Sequence, residues 1–293
     1  MRLVSFSDGA GDRLGVEQTP GRIWASHSLG AGLPGSMADL LAGGEPAQLA
    51  LRSAARSAAA AGRPGEVDRS RVIAPVPRPG KILAVGLNYR DHVEEQGVRV
   101  RVPQRPILFA KLPTAVVGPG ATVEWDTRLT SEVDLEAELG VVIGRKARRV
   151  SEAEALDHVL GYTAVNDVTA RDLQYADRQF VRSKSLDTFC PMGPALVTRD
   201  EITDPGVLRV RSWRNDEPMQ DSHTSNLIFD VPYLISYCSQ AFTLEPGDVI
   251  CTGTPAGVGY FREPKVLMRD GDVMTIEVEG VGRLTNPCRE VRS

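Results

Sequence analysis

The chain reads as an α+β protein, mostly β, and three observations predict it. From Lys81 onward, short β-type runs are separated by Gly and Pro; helical stretches are a minority; and the two do not alternate regularly. A doubly wound sheet or a barrel of alternating strands and helices would need that alternation. A β domain with a few packed helices is expected instead. The 293 residues suffice for a main domain with a smaller companion.

The elements follow in order. Short strands are suggested around Arg2–Phe6 and Arg22–Ala25, then helix-prone stretches in Met37–Leu41 and the Ala-rich Ala47–Ala61. Gly62-Arg-Pro-Gly-Glu breaks any helix, and Ala74-Pro-Val-Pro-Arg-Pro-Gly80 reads as a stiff linker. A boundary is placed near residue 72, giving a small α/β subdomain over 1–72 and a main domain over 73–293. Strands are expected at Ile82–Gly86, Ile107–Ala110, Glu136–Ile143, Ala195–Val197, Val207–Trp213, Asp248–Thr252 and Val273–Val278. Ser151-Glu-Ala-Glu154 is a capping box that should open a helix running to Leu160, and a second helix should cover Val231–Gln240.

Composition narrows the function classes. The hydrophobic share of 42% and charged share of 25% are ordinary for a globular protein with a real core. A net charge of −4 does not suggest nucleic acid, whose binders concentrate positive charge. The densest basic run, Arg145-Lys-Ala-Arg-Arg149, reads as a solvated turn. No apolar run approaches the ~18 residues of a membrane span, and the N-terminus has no signal-like apolar region. Cys190, Cys238, Cys251 and Cys288 are scattered, as free thiols in a reducing, cytoplasmic compartment would be.

The chemistry gathers in Val133-Asp-Leu-Glu-Ala-Glu-Leu-Gly-Val-Val-Ile-Gly144. On a strand Asp134, Glu136 and Glu138 share one face, while Leu135, Ala137, Leu139 and Val141 pack on the other. Neighbouring carboxylates repel, and in an interior they need a positive partner, which a divalent cation supplies. On this segment alone a solvent-facing acidic strand explains the pattern equally well. A second cluster, Asn166-Asp-Val-Thr-Ala-Arg-Asp172, follows an apolar strand and adds Asp167. Oxygen-only ligands Glu136, Glu138 and Asp167 suit Mg²⁺ or Mn²⁺ rather than zinc, since the cluster has no His or Cys. Arg171 and Lys184 are close enough in sequence to balance the charge.

Four blocks in order carry a resemblance to a known family. They are Gly86-Leu-Asn-Tyr-Arg-Asp-His92-Val-Glu-Glu95, the Asp134–Leu139 segment, Asn166–Gln174 with Lys184-Ser185, and Gly247-Asp-Val-Ile-Cys-Thr-Gly-Thr254-Pro-Ala-Gly-Val-Gly259. Over residues 72–291 the chain resembles the fumarylacetoacetate hydrolase family, in its acylpyruvase-like branch. The resemblance implies a mixed β-sandwich roll, a homodimer, and metal ligation by Glu136, Glu138 and Asp167. It implies that Lys184 contacts the substrate or a developing enolate, and that Arg171, Gln174 and Thr254 line the substrate carboxylate or the metal's surroundings. His92 and Glu95 match a catalytic pair carried on a lid, and the i, i+3 spacing on a helical turn lets Glu95 orient the imidazole as a general base. The loop around Arg90–Arg101 is accordingly expected to close over ligand.

His27, His158 and His223 read as structural or surface histidines. The Gly253–Gly259 run lacks a P-loop ending and a dinucleotide fingerprint, and there is no G-x-S-x-G elbow. The expected activity is hydrolysis of a carbon–carbon bond in a 2,4-dioxo acid (an acylpyruvate or fumarylpyruvate). Water activated by His92 would attack, and a pyruvate enolate would leave. The alternative on the same site is decarboxylation or isomerisation of an oxaloacetate- or hydroxymuconate-type 2-oxo acid. A scaffold without catalysis would have lost a ligand or the lysine, and all are present.

Overall fold

The computed structural model describes residues 1–19, 21–97 and 100–292. Among these the protein is mostly β, built on an eleven-stranded sheet and a five-stranded sheet. The large sheet runs from edge to edge through Arg22–Ala25, Asp12–Thr19, Arg2–Ser7, Cys190–Thr198, Val159–Asn166, Ala137–Ile143, Val249–Cys251, Ile82–Gly86 and Ile107–Lys111. Val72–Ile73 and Val116–Val117 pair beside this path. The smaller sheet orders Glu217–His223, Arg209–Arg214, Val273–Val278, Gly282–Val291 and Val123–Asp126.

The apolar run Leu139–Ile143 explains the layering. Successive residues of a strand point to opposite faces, so an unbroken apolar run marks a strand covered on both sides. Leu139, Val141 and Ile143 pack toward the smaller sheet, against Val210, Ile276, Leu284 and the helix Val231–Ala241. Val142 faces the other way, into a layer with Leu3, Leu14, Leu51 and Leu196 beneath the helix Met37–Ala60. The strand Ala137–Ile143, which carries Glu138, therefore lies in the middle of three layers. At Gly161 the neighbouring strand comes so close that a Cβ would lie 2.2 Å from the Val197 carbonyl oxygen.

Several elements differ from expectation. The two N-terminal helical stretches form one element, Met37–Ala60, bent at Gly44 with φ 57°. The Ser151 capping box is present, but the helix spans only Glu152–Ala155; a single turn, Leu156–His158, follows before strand Val159–Asn166 begins. Tertiary pairing of that apolar strand overrides local helix propensity. Ala195–Val197 is the middle of a longer strand, Cys190–Thr198. Strands Asp12–Thr19, Glu217–His223 and Gly282–Val291 were not anticipated, because their polar and proline-containing sequences carry no clear β pattern.

The first 72 residues join the large sheet directly, Arg2 opposite Val197 and Leu3 opposite Leu196. Glu17 anchors this region. Its buried carboxylate accepts from Arg2 Nε at 3.1 Å and Gly21 N at 3.0 Å, and pairs with Arg69. Burial works against its ionisation, but the Gly21 N–H and the Arg69 charge prevail and its pKa falls below 4.5. A depressed carboxylate pKa stabilises the fold above its unfolded value and loses that contribution as pH falls through the folded one. Glu17→Gln should therefore lower stability by about 1–3 kcal/mol at neutral pH. The gap to the wild type should close in thermal unfolding as pH falls through the lowered pKa of the folded carboxylate. A gap independent of pH would refute this account of Glu17.

Candidate active site

The site forms where strand regularity fails. Val133–Asp134 pairs with Thr169–Ala170, and the large-sheet strand starts only at Ala137. Between them Glu136 leaves the ladder: its N–H goes to Asn166 Oδ1 at 3.0 Å, while its carbonyl accepts from Asp167 N at 2.9 Å. The expected single acidic face is thus split. Asp134 turns away to accept from Arg171 Nε at 3.0 Å, Gly259 N at 2.9 Å and Tyr260 N at 3.0 Å. Glu136, Glu138 and Asp167 remain together, each offering an oxygen within 4.8 Å of the others, all buried.

The cations are distributed unevenly over these carboxylates. Lys184 Nζ donates to Glu136 at 2.6 Å and to Asp167 at 2.7 Å. Arg171 reaches Glu136 at 2.6 Å. Lys111, fully buried, donates to Asp167 at 2.5 Å and to the Lys184 carbonyl. Glu138 receives only the Gly253 N–H, at 2.9 Å, among the described residues. Burial opposes ionisation of Glu136, yet Lys184 and Arg171 hold its pKa at about 2. Glu138 is pushed well upward, by burial first and then by Asp167 and Glu136. Burial would neutralise Lys184 and Arg171, but the surrounding carboxylates keep both pKa values raised. A buried, weakly compensated carboxylate beside two others is the donor set of a hard divalent cation, and these residues fit one.

His92 is presented from a strand two places along the large sheet from Ala137–Ile143. Ile82–Gly86 leads through Leu87, at φ 54°, into helix Arg90–Glu95. Asn88 ties this turn down by donating to Phe229 O and Thr252 O at 2.9 and 2.7 Å. Gly253, at φ 101°, lies where a Cβ would come within 2.9 Å of Asn88 Cβ, so the turn and the Gly253–Gly259 loop need glycine there. His92 Nδ1 lies 2.5 Å from Glu95 Oε1, whose other oxygen accepts from Gly257 N at 2.8 Å. Asp91 fastens the helix to Ser222 and Asn226. The expected closing loop, 90–101, thus begins with a docked helix; Val98 and Arg99 lie outside the described residues.

A cavity of about 150 Å³ brings His92, the three carboxylates, Lys184, Arg171, Gln174 and Thr254 to one wall or another. Glu95 stands behind His92. Arg171 is committed to Asp134, Glu136 and Gln174 Oε1, the last at 3.0 Å. Thr254 donates to Ala137 O at 3.0 Å and accepts from Gln220 Nε2 at 2.7 Å. His27 is exposed, His158 sits against Arg145 O, and His223 caps the turn Thr224–Asn226.

Three contributors were missed. Lys111 sits at the end of an apolar strand with no polar context. Asp134 was read only as one of a row. Gln220, in a polar stretch with no strand expected, joins Ala137 N, Ser212 and Thr254 across the two sheets. The acidic row signalled Asp134; nothing local signalled the other two.

Known proteins resemble this chain in sequence and fold. Residues 81–289 match the family described as fumarylacetoacetate (FAA) hydrolase C-terminal. The Xenopus laevis protein named oxaloacetate tautomerase fahd2, mitochondrial, is 42% identical over 98% of this chain and 90% of its own. Oxaloacetate tautomerase YisK of Bacillus subtilis (strain 168) is 47% identical over 73% of this chain and 71% of its own. A crystal structure of maleylpyruvate hydrolase from Sphingobium sp. SYK-6, in complex with manganese(II) ion and pyruvate, superposes with a TM-score of 0.80 at 31% identity, covering 100% of both chains. The names of the curated relatives overturn the expected hydrolysis of a carbon–carbon bond in a 2,4-dioxo acid and favour the oxaloacetate-type alternative. Among the described residues no helix is long and apolar enough to cross a membrane.

Proposed function

The chain belongs to the fumarylacetoacetate hydrolase family and is an enzyme of it, and from that premise we propose that it tautomerises oxaloacetate between its enol and keto forms. The observation that carries this reading is the placement of His92, held by Glu95, in one cavity with the carboxylate triad. Tautomerisation moves one proton between the C2 oxygen and C3. It needs a base that can give back what it takes, and neither water nor carbon–carbon cleavage.

His92 has Nδ1 engaged by Glu95, so Nε2 is the atom that accepts the enol hydroxyl proton and returns a proton to C3. Glu95 holds the ring orientation and, by accepting from Nδ1, leaves Nε2 as the acceptor nitrogen. Glu136, Glu138 and Asp167 are the residues that would hold Mg²⁺ or Mn²⁺. When bound, the cation supplies positive charge against the negative oxygens of the 2-oxo acid. Lys184 and Lys111 hold the Asp167 carboxylate in place, and Lys184 with Arg171 keeps Glu136 ionised and placed. The Gln174 amide N–H, unpaired among the described residues, and the wall at Thr254 position the substrate.

We also read the protein as a homodimer, supported by the unpaired sheet edge at Ile107–Lys111 with exposed Ile107 and Leu112 beside it. The four buried, unpaired cysteines support a reducing compartment such as the cytoplasm. The function is tested by following decay of enol oxaloacetate with chelator-treated protein, then after restoring Mg²⁺ or Mn²⁺. Metal-dependent acceleration is expected, with the keto acid accumulating. Pyruvate appearing as fast as the enol disappears would mean decarboxylation and would sink the reading.

A further inference from the structure

The cations of the cavity are already paired. Lys184, Lys111 and Arg171 face Asp134, Glu136 and Asp167 at 2.5–3.0 Å. They suit a 2-oxo acid head bound beside the carboxylate triad, and among the described residues that line the cavity no Lys or Arg is left over for a second carboxylate. Much of the remaining lining is apolar: Leu87, Ile107, Phe109, Phe180 and Phe261. A carboxylate placed against such a surface without a hydrogen bond is costly. Of the uncharged polar side chains that line the cavity, Gln174, Tyr175, Thr254 and Gln96, it is Gln96, at the C-terminal end of the His92 helix, that hydrogen-bonds the imidazole.

Gln96 Nε2 lies 3.1 Å from His92 Nε2, and this is its one side-chain hydrogen bond among the described residues. With Nδ1 turned to Glu95, the amide covers the only ring nitrogen that faces the cavity. Resting on the oxaloacetate reading above, we propose that Gln96 is the specificity-determining residue for the outer carboxylate of a dicarboxylic 2-oxo acid. Its carboxamide leaves His92 Nε2 and donates to that carboxylate, so recognition of the second acid group uncovers the base. An uncharged donor does this without adding a cation beside the metal site. A site built around a hydrogen bond discriminates strongly against a ligand lacking the partner group.

Pyruvate is oxaloacetate without the outer carboxylate, which makes it the comparison ligand. The test measures KM for oxaloacetate and the competitive Ki of pyruvate for the Mg²⁺- or Mn²⁺-loaded wild type, Gln96→Leu and Gln96→Glu. Gln96→Leu is expected to raise KM for oxaloacetate about tenfold to a hundredfold, the loss of one hydrogen bond to a charged group. The Ki of pyruvate should stay unchanged. Gln96→Glu, the same size but anionic, should weaken oxaloacetate further and again spare pyruvate. Parallel weakening of both ligands would assign Gln96 a merely structural role and overturn the proposal, as would an unchanged KM. Wild-type enzyme inactive on oxaloacetate overturns the functional reading and this assignment with it; active wild type with parallel losses overturns the assignment alone.

Discussion

Glu138→Gln is expected to stabilise the metal-free protein and, in the same molecule, to remove its divalent-metal binding. Glu138 is buried beside Glu136 and Asp167 and receives a single backbone N–H from Gly253. Burial and the two neighbouring charges push its pKa upward, so its ionised form is a liability until a cation arrives. The glutamine can still accept from Gly253 N while removing that charge. The gain should be on the order of 1 kcal/mol, as expected when an uncompensated buried charge is removed while its one hydrogen bond is kept.

Metal supplied at about a hundred times its dissociation constant should add about 2.7 kcal/mol to the wild type and nothing to the variant. Glu136→Gln should behave in the opposite way without metal. It severs the contacts with Arg171 and Lys184 and leaves buried cations short of a partner, a loss of about 3–5 kcal/mol. Thermal unfolding in chelator and in Mg²⁺ or Mn²⁺ reads both signs. A Glu138→Gln protein that is destabilised like Glu136→Gln, or that keeps the full metal-dependent rise in Tm, would refute the assignment of the triad.

That contrast between two glutamates of one segment was invisible in the sequence, although the cluster of three carboxylates was legible. Glu136 and Glu138 stand two residues apart, and Asp167 follows an apolar strand that pairs with Ala137–Ile143, so local pattern together with the four ordered blocks pointed to the three carboxylates. The charges that sort the carboxylates come from far away. Lys111 is 56 residues from Asp167 and closes a strand whose other residues are apolar, where a terminal lysine looks like a solvated end. Asp134 shares the parity of the glutamates, but the ladder breaks at Leu135–Glu136 and the side chain turns to Arg171 and the Gly259–Tyr260 backbone. Gln220 lies in a polar stretch that becomes a strand only by pairing with Arg209–Arg214.

The fold was legible to a similar depth. Short apolar runs marked the central strands, and the ends of strands followed tertiary pairing that no local window contains. The His92–Glu95 pair was readable because both members sit on one helical turn.

That pair carries the largest expected effect on rate. His92→Ala should lower kcat by about 10²–10⁴-fold, the usual worth of a positioned general acid–base group. Metal affinity should be unchanged, because no ligand carboxylate depends on the imidazole for a hydrogen bond. Glu95→Gln should cost less and act on kcat rather than KM. The amide can still accept from Gly257 N and keep the helix docked, but it no longer places a negative charge against Nδ1. The two substitutions combined should cost little more than His92→Ala alone, since Glu95 acts through the imidazole and residues working as a unit are not additive. Steady-state kinetics on enol oxaloacetate with metal titrations on each variant decide the matter. Retention of near wild-type turnover by His92→Ala, or additive losses in the double variant, would remove His92 from the reaction and leave the proton transfer to another group in the cavity.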